Sequence, residues 1–472
     1  MNITKISKSV QSALDTYLDD YPPILSIIRQ IDAQGGKSFL VGGAVRDLLL
    51  GVKIKDLDIE VHGIPLGDLQ TILKKFGHVI LVGKVFGVLR IKGLDVDWSI
   101  PRKDLAGRKP EVVTDPFMDL REAFLRRDLT INAMGIDLIT HELIDPFGGY
   151  NHLENKILSA PDKNKFLEDP LRFYRVMQFI SRFEMFPDEQ LNEICRDMDI
   201  SNVSVERIEV EFDKLMLKSK KPSLGIRWLK EIERLSEVLP ELYNIVDIPQ
   251  EPSWHPEGEV FEHTMQCLDA AAAMKYDNEE DKLKVMYAVL CHDLGKSETT
   301  ENIGGQWKSI GHSKEGVKLS KNMLSRITKR KDLRDAVCKL VRYHMSPAQL
   351  VAANSKPSAY KRLAKKLSPE ATLELLAKVS LADKQGRNPV KGAPLTKIFP
   401  AIDKFLQIAR TAKVEKVPEA PVLLGRDLMG IIEPGPKMGE LLKQAYEIQI
   451  EQGIKKKETL KEIVLQEGKL AD

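Results

Sequence analysis

Between residues 38 and 147, short apolar and β-branched runs alternate with polar turns. SFLVGG, LDIEV, HVILVG, VLRI and LDVDWSI predict strands, and the apolar spacing near 66–76 predicts one helix among them. After Pro146-Phe147-Gly148-Gly149 the strand signals stop. LRFYRVMQFISRF and IEVEFDKLMLK carry apolar residues at helical spacing, so 155–245 reads as helical. IPQEPSWHPEGE contains three prolines and predicts a linker. Residues 260–388 return to helical spacing, and a second proline-bearing stretch, GRNPVKGAPLTKIFP, precedes a last helical piece. The first thirty residues read as an amphipathic helix interrupted at Pro22-Pro23.

This texture predicts an α/β head, a small mixed sheet with helices, followed by all-α segments. The expected boundaries are a helical extension over 1–30, the head over 31–153, a helical neck and body over 154–248, a histidine-bearing helical domain over 249–390 and a helical tail over 391–472. A chain of 472 residues exceeds one ordinary core, which agrees with several domains. The net charge is only +2, so a polyanionic partner must be held by local basic patches. No apolar run approaches the roughly 20 residues that span a bilayer, and the first residues lack a signal-peptide core. The four cysteines are scattered without paired spacing, which favours neither a zinc knuckle nor a disulfide framework. A soluble, cytoplasmic protein is expected.

The run IKDLDIEV poses a chemical question, because two aspartates interrupt an apolar strand. Strand side chains alternate, so Asp56 and Asp58 project to the same side. Two like charges that close repel unless a divalent cation lies between them. FLVGGAVRDLLLG ends a strand in Gly42-Gly43 and begins a helix, which brings backbone N–H groups together as in a phosphate cradle. Arg46 is placed to grip a phosphate and Asp47 to orient it. Asp97, in LDVDWSI, would complete a carboxylate cluster suited to Mg²⁺ and phosphoryl transfer.

Read in order, GGAVRDLLLG, KDLDIEV, FLRRDLTINAMGID and EDPLRFYRVMQF resemble the bacterial class II tRNA nucleotidyltransferases and their poly(A) polymerase relatives. VSVERIEVEFDKLM and LLGRDLMGIIEPGPKMGELL are similar to later parts of that family. The resemblance implies template-independent addition of CCA to tRNA 3′ ends from CTP and ATP. It implies Asp56 and Asp58 as Mg²⁺ ligands, Asp97 as the third carboxylate, and Gly42, Gly43 and Arg46 as triphosphate contacts. Arg127, Asp128, Asn132 and Arg175 would bind the incoming nucleotide. Glu168, Asp169 and Arg172 form the EDxxR pattern of base recognition. Three residues apart on a helix, Asp169 and Arg172 would share a face. An Asp acceptor beside an Arg donor matches the Watson–Crick edges of cytosine and adenine and opposes those of uracil and guanine. The polar stretch 102–123 falls where related enzymes carry a loop needed to add the final A.

FEHTMQCLDAAAAM and YAVLCHDLGKSET resemble an HD metallophosphohydrolase domain. The resemblance implies His263, His292, Asp293 and Asp383 as ligands of a divalent transition metal, with His312 and His344 where some HD enzymes bind a second. Lys296 would help hold substrate, and a 2′,3′-cyclic phosphate at a damaged tRNA end would fit the neighbouring activity. Two other readings stay open within the same fold: a poly(A) polymerase, and an enzyme adding only CC or only A. From another class come an HD phosphodiesterase using its head as an RNA-binding module and a silent RNA-binding protein. The paired Asp56 and Asp58 speak against both.

Overall fold

The computed structural model describes residues 2–54, 57–82, 87–104 and 112–470. It divides into two compact units, Met1–Val203 and Ser204–Asp472. The division falls inside the segment expected as one neck and body.

Among its described residues the first unit has twelve short strands: β1 (Asn2–Lys5), β2 (Lys37–Val41), β3 (Leu57–His62), β4 (Val79–Val82), β5 (Val88–Ile91), β6 (Val96–Ser99), β7 (Arg102–Asp104), β8 (Val112–Thr114), β9 (Gly135–Asp137), β10 (Glu142–Asp145) and the parallel pair β11 (Ile157–Leu158) and β12 (Phe186–Pro187). Eight form one sheet in the order β1-β10-β9-β2-β3-β6-β5-β4, while β7 and β8 pair separately. β3 and β6 run parallel, and the other pairs in the large sheet are antiparallel, so the sheet is mixed. Of the stretch 102–123, residues 105–111 lie outside the described residues.

Alternation along β3 decides what each face does. Leu57, Ile59 and Val61 join a core with Val96 and Trp98 of β6 and with Leu14, Leu18, Ile27 and Ile31. Those last four belong to helices Lys8–Asp19 and Pro22–Asp32. The first thirty residues are therefore part of the head, not a helical extension of it. They contribute β1 at the sheet edge, paired with β10, and two helices that cover one face. Pro22-Pro23 starts the second helix instead of interrupting one, because proline fits the first turn, where its missing N–H has no intrahelical partner. Burying each such Leu or Ile stabilises the head by about 1.5–3 kcal/mol before chain entropy is counted. The opposite face of the sheet carries Asp58, Glu60 and His62, with Phe39 and Val41 packed on Phe124.

The second unit is mainly helical. Val260–Ala272, Glu279–Cys291, His312–Ile327, Lys331–Tyr343 and Leu373–Gln385 surround its histidines. It is not all-α, since Thr300–Ile303 pairs antiparallel with Gln306–Ser309 across Gly304-Gly305. Both glycines have positive φ, 63° and 82°, the geometry a two-residue hairpin turn needs.

Candidate nucleotidyl-transfer and metal sites

In the head, β3 and β6 lie in parallel register with Asp58 opposite Asp97. The two carboxylates thus sit side by side on one face. Arg90 Nε donates to Asp97 Oδ1 at 2.7 Å, which fixes that carboxylate. Asp56 lies outside the described residues. Gly42 closes the site from β2. Its φ is +71°, and a Cβ there would stand 2.9 Å from Arg127 Nη1 and 4.0 Å from Asp58 Oδ2. The positive φ requires glycine, and a side chain there would push the Arg127 guanidinium aside. Oxygen donors from adjacent carboxylates form a hard ligand set, which fits Mg²⁺.

Arg46 and Asp128 anchor a chain of side chains beside these carboxylates. Arg46 is buried, donates to Asp47 Oδ1 at 2.9 and 2.6 Å, and donates to Asn132 Oδ1 at 2.5 Å. Its guanidinium lies 4.5 Å from the Phe183 ring centroid. Asn132 Nδ2 in turn donates to Asp128 Oδ1 at 2.9 Å, and Arg175 Nε donates to Asp128 Oδ2 at 2.6 Å. Burial opposes the Asp128 charge, but Arg175, Asn132 and the Leu129 amide outweigh it and bring its pKa down to about 2.

The EDxxR stretch differs from its expected geometry. The helix begins at Leu171, so Asp169 precedes it instead of sharing its face with Arg172. Asp169 Oδ1 accepts from the Leu171 amide at 3.1 Å, and the Asp169 carbonyl accepts from the Arg172 amide at 3.0 Å. Pro170, disfavouring helical backbone in the residue before it, accounts for the shift. The Arg172 guanidinium donates to the carbonyls of Lys165 and Arg126, both at 2.5 Å. Glu168 pairs with Lys165 Nζ at 2.8 Å at the surface.

In the second unit, the histidines converge on Asp293. His292, His312 and His344 each donate Nδ1–H to a backbone carbonyl, of Val289, Ser309 and Val341, at 2.7–2.8 Å. A carbonyl only accepts, so each neutral ring is left with a bare Nε2, the form that binds metal. Asp293 Oδ2 is 3.2 Å from His292 Nε2 and 3.6 Å from His263 Nε2. Its Oδ1 is 3.5 Å from His312 Nε2 and 4.0 Å from His344 Nε2. Asp383 Oδ1 is 3.3 Å from His263 Nε2 and is gripped by Arg387 at 2.9 Å. Asp293 Oδ2 is buried and receives no aligned hydrogen bond, although Lys296 Nζ lies 2.7 Å away. A buried carboxylate facing imidazole nitrogens on both sides fits a borderline transition metal.

A poly A polymerase head domain model matches residues 38–159, and an HD domain model matches 260–385. The multifunctional CCA protein of Mannheimia succiniciproducens is 31% identical over 394 residues, which cover 80% of this chain and 89% of that protein. The chain belongs to the multifunctional CCA protein family. Its fold is shared with a CCA-adding enzyme of Thermotoga maritima complexed with tRNA (20% identity, TM-score 0.59, 99% of both chains). It is shared as well with a CCA-adding enzyme of Bacillus stearothermophilus in complex with CTP (21% identity, TM-score 0.62, 95% of this chain and 97% of that one).

Within this CCA-family chain, sequence reasoning missed several site neighbours. Glu60 is next on the Asp58 face, and its buried carboxylate lies 3.7 Å from Arg127 Nη2 and 3.9 Å from Arg126 Nη2. The same alternation that selected Asp58 points to it. The proline segment is not a spacer: Glu257 Oε1 is 2.7 Å from His263 Nδ1 and 2.8 Å from His255 Nδ1. Burial opposes the Glu257 charge, but the two histidines prevail and lower its pKa to about 2. Gln250 Oε1 accepts from Lys296 at 2.7 Å, so the segment forms one wall of the histidine cleft. Prolines signalled irregular backbone correctly, and nothing in their spacing told where it would pack.

Proposed function

We propose that this protein adds CCA to tRNA 3′ ends without a nucleic-acid template, taking CTP and ATP as substrates. The observation that carries the reading is the in-register pairing of Asp58 with Asp97 beside Gly42 and Arg127, in a chain of the CCA family. Asp58 and Asp97, with Asp56, would hold Mg²⁺, which supplies activation of the 3′ hydroxyl and charge neutralisation of the departing pyrophosphate. Gly42 and Gly43 let backbone approach the triphosphate, and Arg46 adds a fixed positive charge. Asp128, Asn132 and Arg175 set the nucleotide's position through their linked hydrogen bonds, and Arg127 joins them from beside Gly42. Asp169 and Arg172 read the base: the carboxylate accepts from the exocyclic amino group and the guanidinium donates to ring acceptors. Two carbonyls hold Arg172 in place, which leaves other N–H groups of its five-donor fork for a base. The deciding experiment supplies tRNA lacking CCA, tRNA ending in C and tRNA ending in CC, with CTP, ATP or both together, and sequences the products. Full CCA on the first supports the reading; homopolymeric A, or arrest at CC, assigns the chain to the related polymerases or partial enzymes.

A second activity is supported by the Nε2 atoms grouped about Asp293. His263, His292, Asp293 and Asp383 would hold a transition metal, with His312 and His344 toward a second, and such a metal supplies a hydroxide able to attack a phosphoester. Lys296 stands beside Asp293 to neutralise a phosphate oxygen. A 2′,3′-cyclic phosphate on a damaged tRNA end is the substrate this reading favours.

A further inference from the structure

The chain has four tryptophans, and their environments divide them into two pairs. Trp98 and Trp228 are buried core residues, at 0% and 3% exposure. Trp254 and Trp307 are 69% and 37% exposed. Both exposed rings line the same cleft of about 410 Å³, the one that opens onto Asp293, His312 and His344. They arrive there on unrelated segments, Trp254 on the proline segment and Trp307 on the hairpin strand Gln306–Ser309. Glu251 ties the two segments together. Its carbonyl accepts from the Trp254 amide at 3.0 Å, and its Oε2 accepts from the Trp307 amide at 3.3 Å. Arg387, which grips Asp383, also donates to the Trp254 carbonyl at 3.4 Å. The tryptophan positions are thus coupled to the metal-facing residues through backbone and side-chain hydrogen bonds.

Leaving a large aromatic ring in water forgoes the stabilisation its burial would give. Two of them lining one cleft suit a ligand with a flat face. Lys296, Lys308, Lys384 and Arg387 line the cleft together with Glu251, Asp293 and Asp383, so basic side chains slightly outnumber acidic ones, which suits an anion better than a cation. A flat π-face joined to a phosphate a few ångströms away describes a nucleotide. Aromatic rings stack on any base, so such a rim selects for the presence of a base and not for its identity.

We propose that Trp254 and Trp307 form a base-stacking rim that makes the histidine cleft selective for phosphoesters carrying a nucleobase beside the scissile phosphate. The proposal rests on the phosphoesterase reading of this cleft. Its ligand is either a free nucleotide or the terminal nucleotide of an RNA, and the chemistry of recognition is the same for both.

The test titrates the full chain with adenosine 2′,3′-cyclic phosphorothioate, an analogue slow to hydrolyse, and follows tryptophan fluorescence. Affinities of wild type, Trp254→Ala and Trp307→Ala are then measured by calorimetry for this analogue and for abasic ribose 5-phosphate. Stacking predicts saturable quenching in the wild type and roughly tenfold or greater weakening of the nucleoside ligand in each variant, with ribose 5-phosphate unchanged within twofold. Trp254→Phe and Trp307→Phe should restore most of the affinity. Equal wild-type affinity for the nucleoside and abasic ligands overturns the proposal. So does parallel loss of both ligands in the alanine variants, which would mark a structural role. A trinucleotide ending in the same cyclic group separates the sources, since tighter binding than the mononucleotide assigns the rim to RNA ends and equal binding to free nucleotides. Hydrolysis of the ordinary cyclic phosphate by zinc-loaded wild type is scored separately. A ligand that binds through the tryptophans but is never cleaved refutes the phosphoesterase reading and leaves the rim standing.

Discussion

Replacing Asp128 with asparagine removes one charge from the head and changes little else in shape. Asp128 is buried, and both its oxygens are engaged, by Asn132 and Leu129 at Oδ1 and by Arg175 at Oδ2. Its pKa falls from the ordinary aspartate value of 3.8 to about 2 in the folded chain. By linkage, a depression of that size contributes about 2 kcal/mol to stability at neutral pH. The sign follows from the direction of the shift. The stabilisation is fully present above the unfolded pKa and is lost as pH falls through the folded one, between about pH 4 and pH 2. The asparagine variant should therefore be less stable by about 2 kcal/mol at pH 7, with the gap unchanged at pH 5 and about 1 kcal/mol smaller by pH 3. Arg175 is 31% exposed, so water recovers part of its lost pairing, and a larger loss is not expected. Trp98 is the only tryptophan of the first unit. Urea titration of 5-fluorotryptophan-labelled protein, read at the Trp98 resonance, isolates this unit from the second. A gap already shrinking between pH 7 and pH 5, or no gap at pH 7, would refute the assignment of charge to Asp128 and its pairing with Arg175.

Four further outcomes follow from the sites. Asp58→Ala should lower nucleotide incorporation by about a hundredfold or more while tRNA binding, measured by filter retention, stays within a few fold; near-normal turnover with Mg²⁺ would remove Asp58 from the metal site. Asp169→Ala should weaken the preference for CTP over UTP by about ten- to a hundredfold in kcat/KM, because the amino group absent from UTP is no longer rewarded. Arg172→Ala should reduce use of CTP and ATP alike, and an unchanged CTP preference in the first variant places base reading elsewhere. His292→Ala combined with Asp293→Ala should abolish metal-dependent phosphoesterase activity and leave CCA addition intact, as followed by parallel assays on one preparation; equal loss of both in a folded protein contradicts separate sites.

Periodicity and local motifs carried much of this protein's description. Alternation in LDIEV places Asp58 on the face opposite Leu57 and Ile59, and HD adjacency marks His292 and Asp293, because side-chain direction is a local property of strand or helix. Even the hairpin was written locally, as Gly304-Gly305 between two four-residue runs, though the surrounding helical pattern obscured it. The first thirty residues show the limit of this reading. Their helical period was visible, but their membership in the head depends on Leu14, Ile27 and Ile31 finding Leu57 and Trp98 across the sheet. Asp97 met Asp58 only through the parallel register of β3 and β6, which spans 39 residues of chain. The union of His263 with Glu257, and of Trp254 with Trp307, likewise depends on where an irregular proline segment packs. Backbone propensity reaches a few residues along the chain, whereas long-range pairing is settled by which burial satisfies the most apolar surface and polar groups at once. The sequence by itself therefore determined the chemistry available on each element, and only the tertiary structure decided which elements face one another.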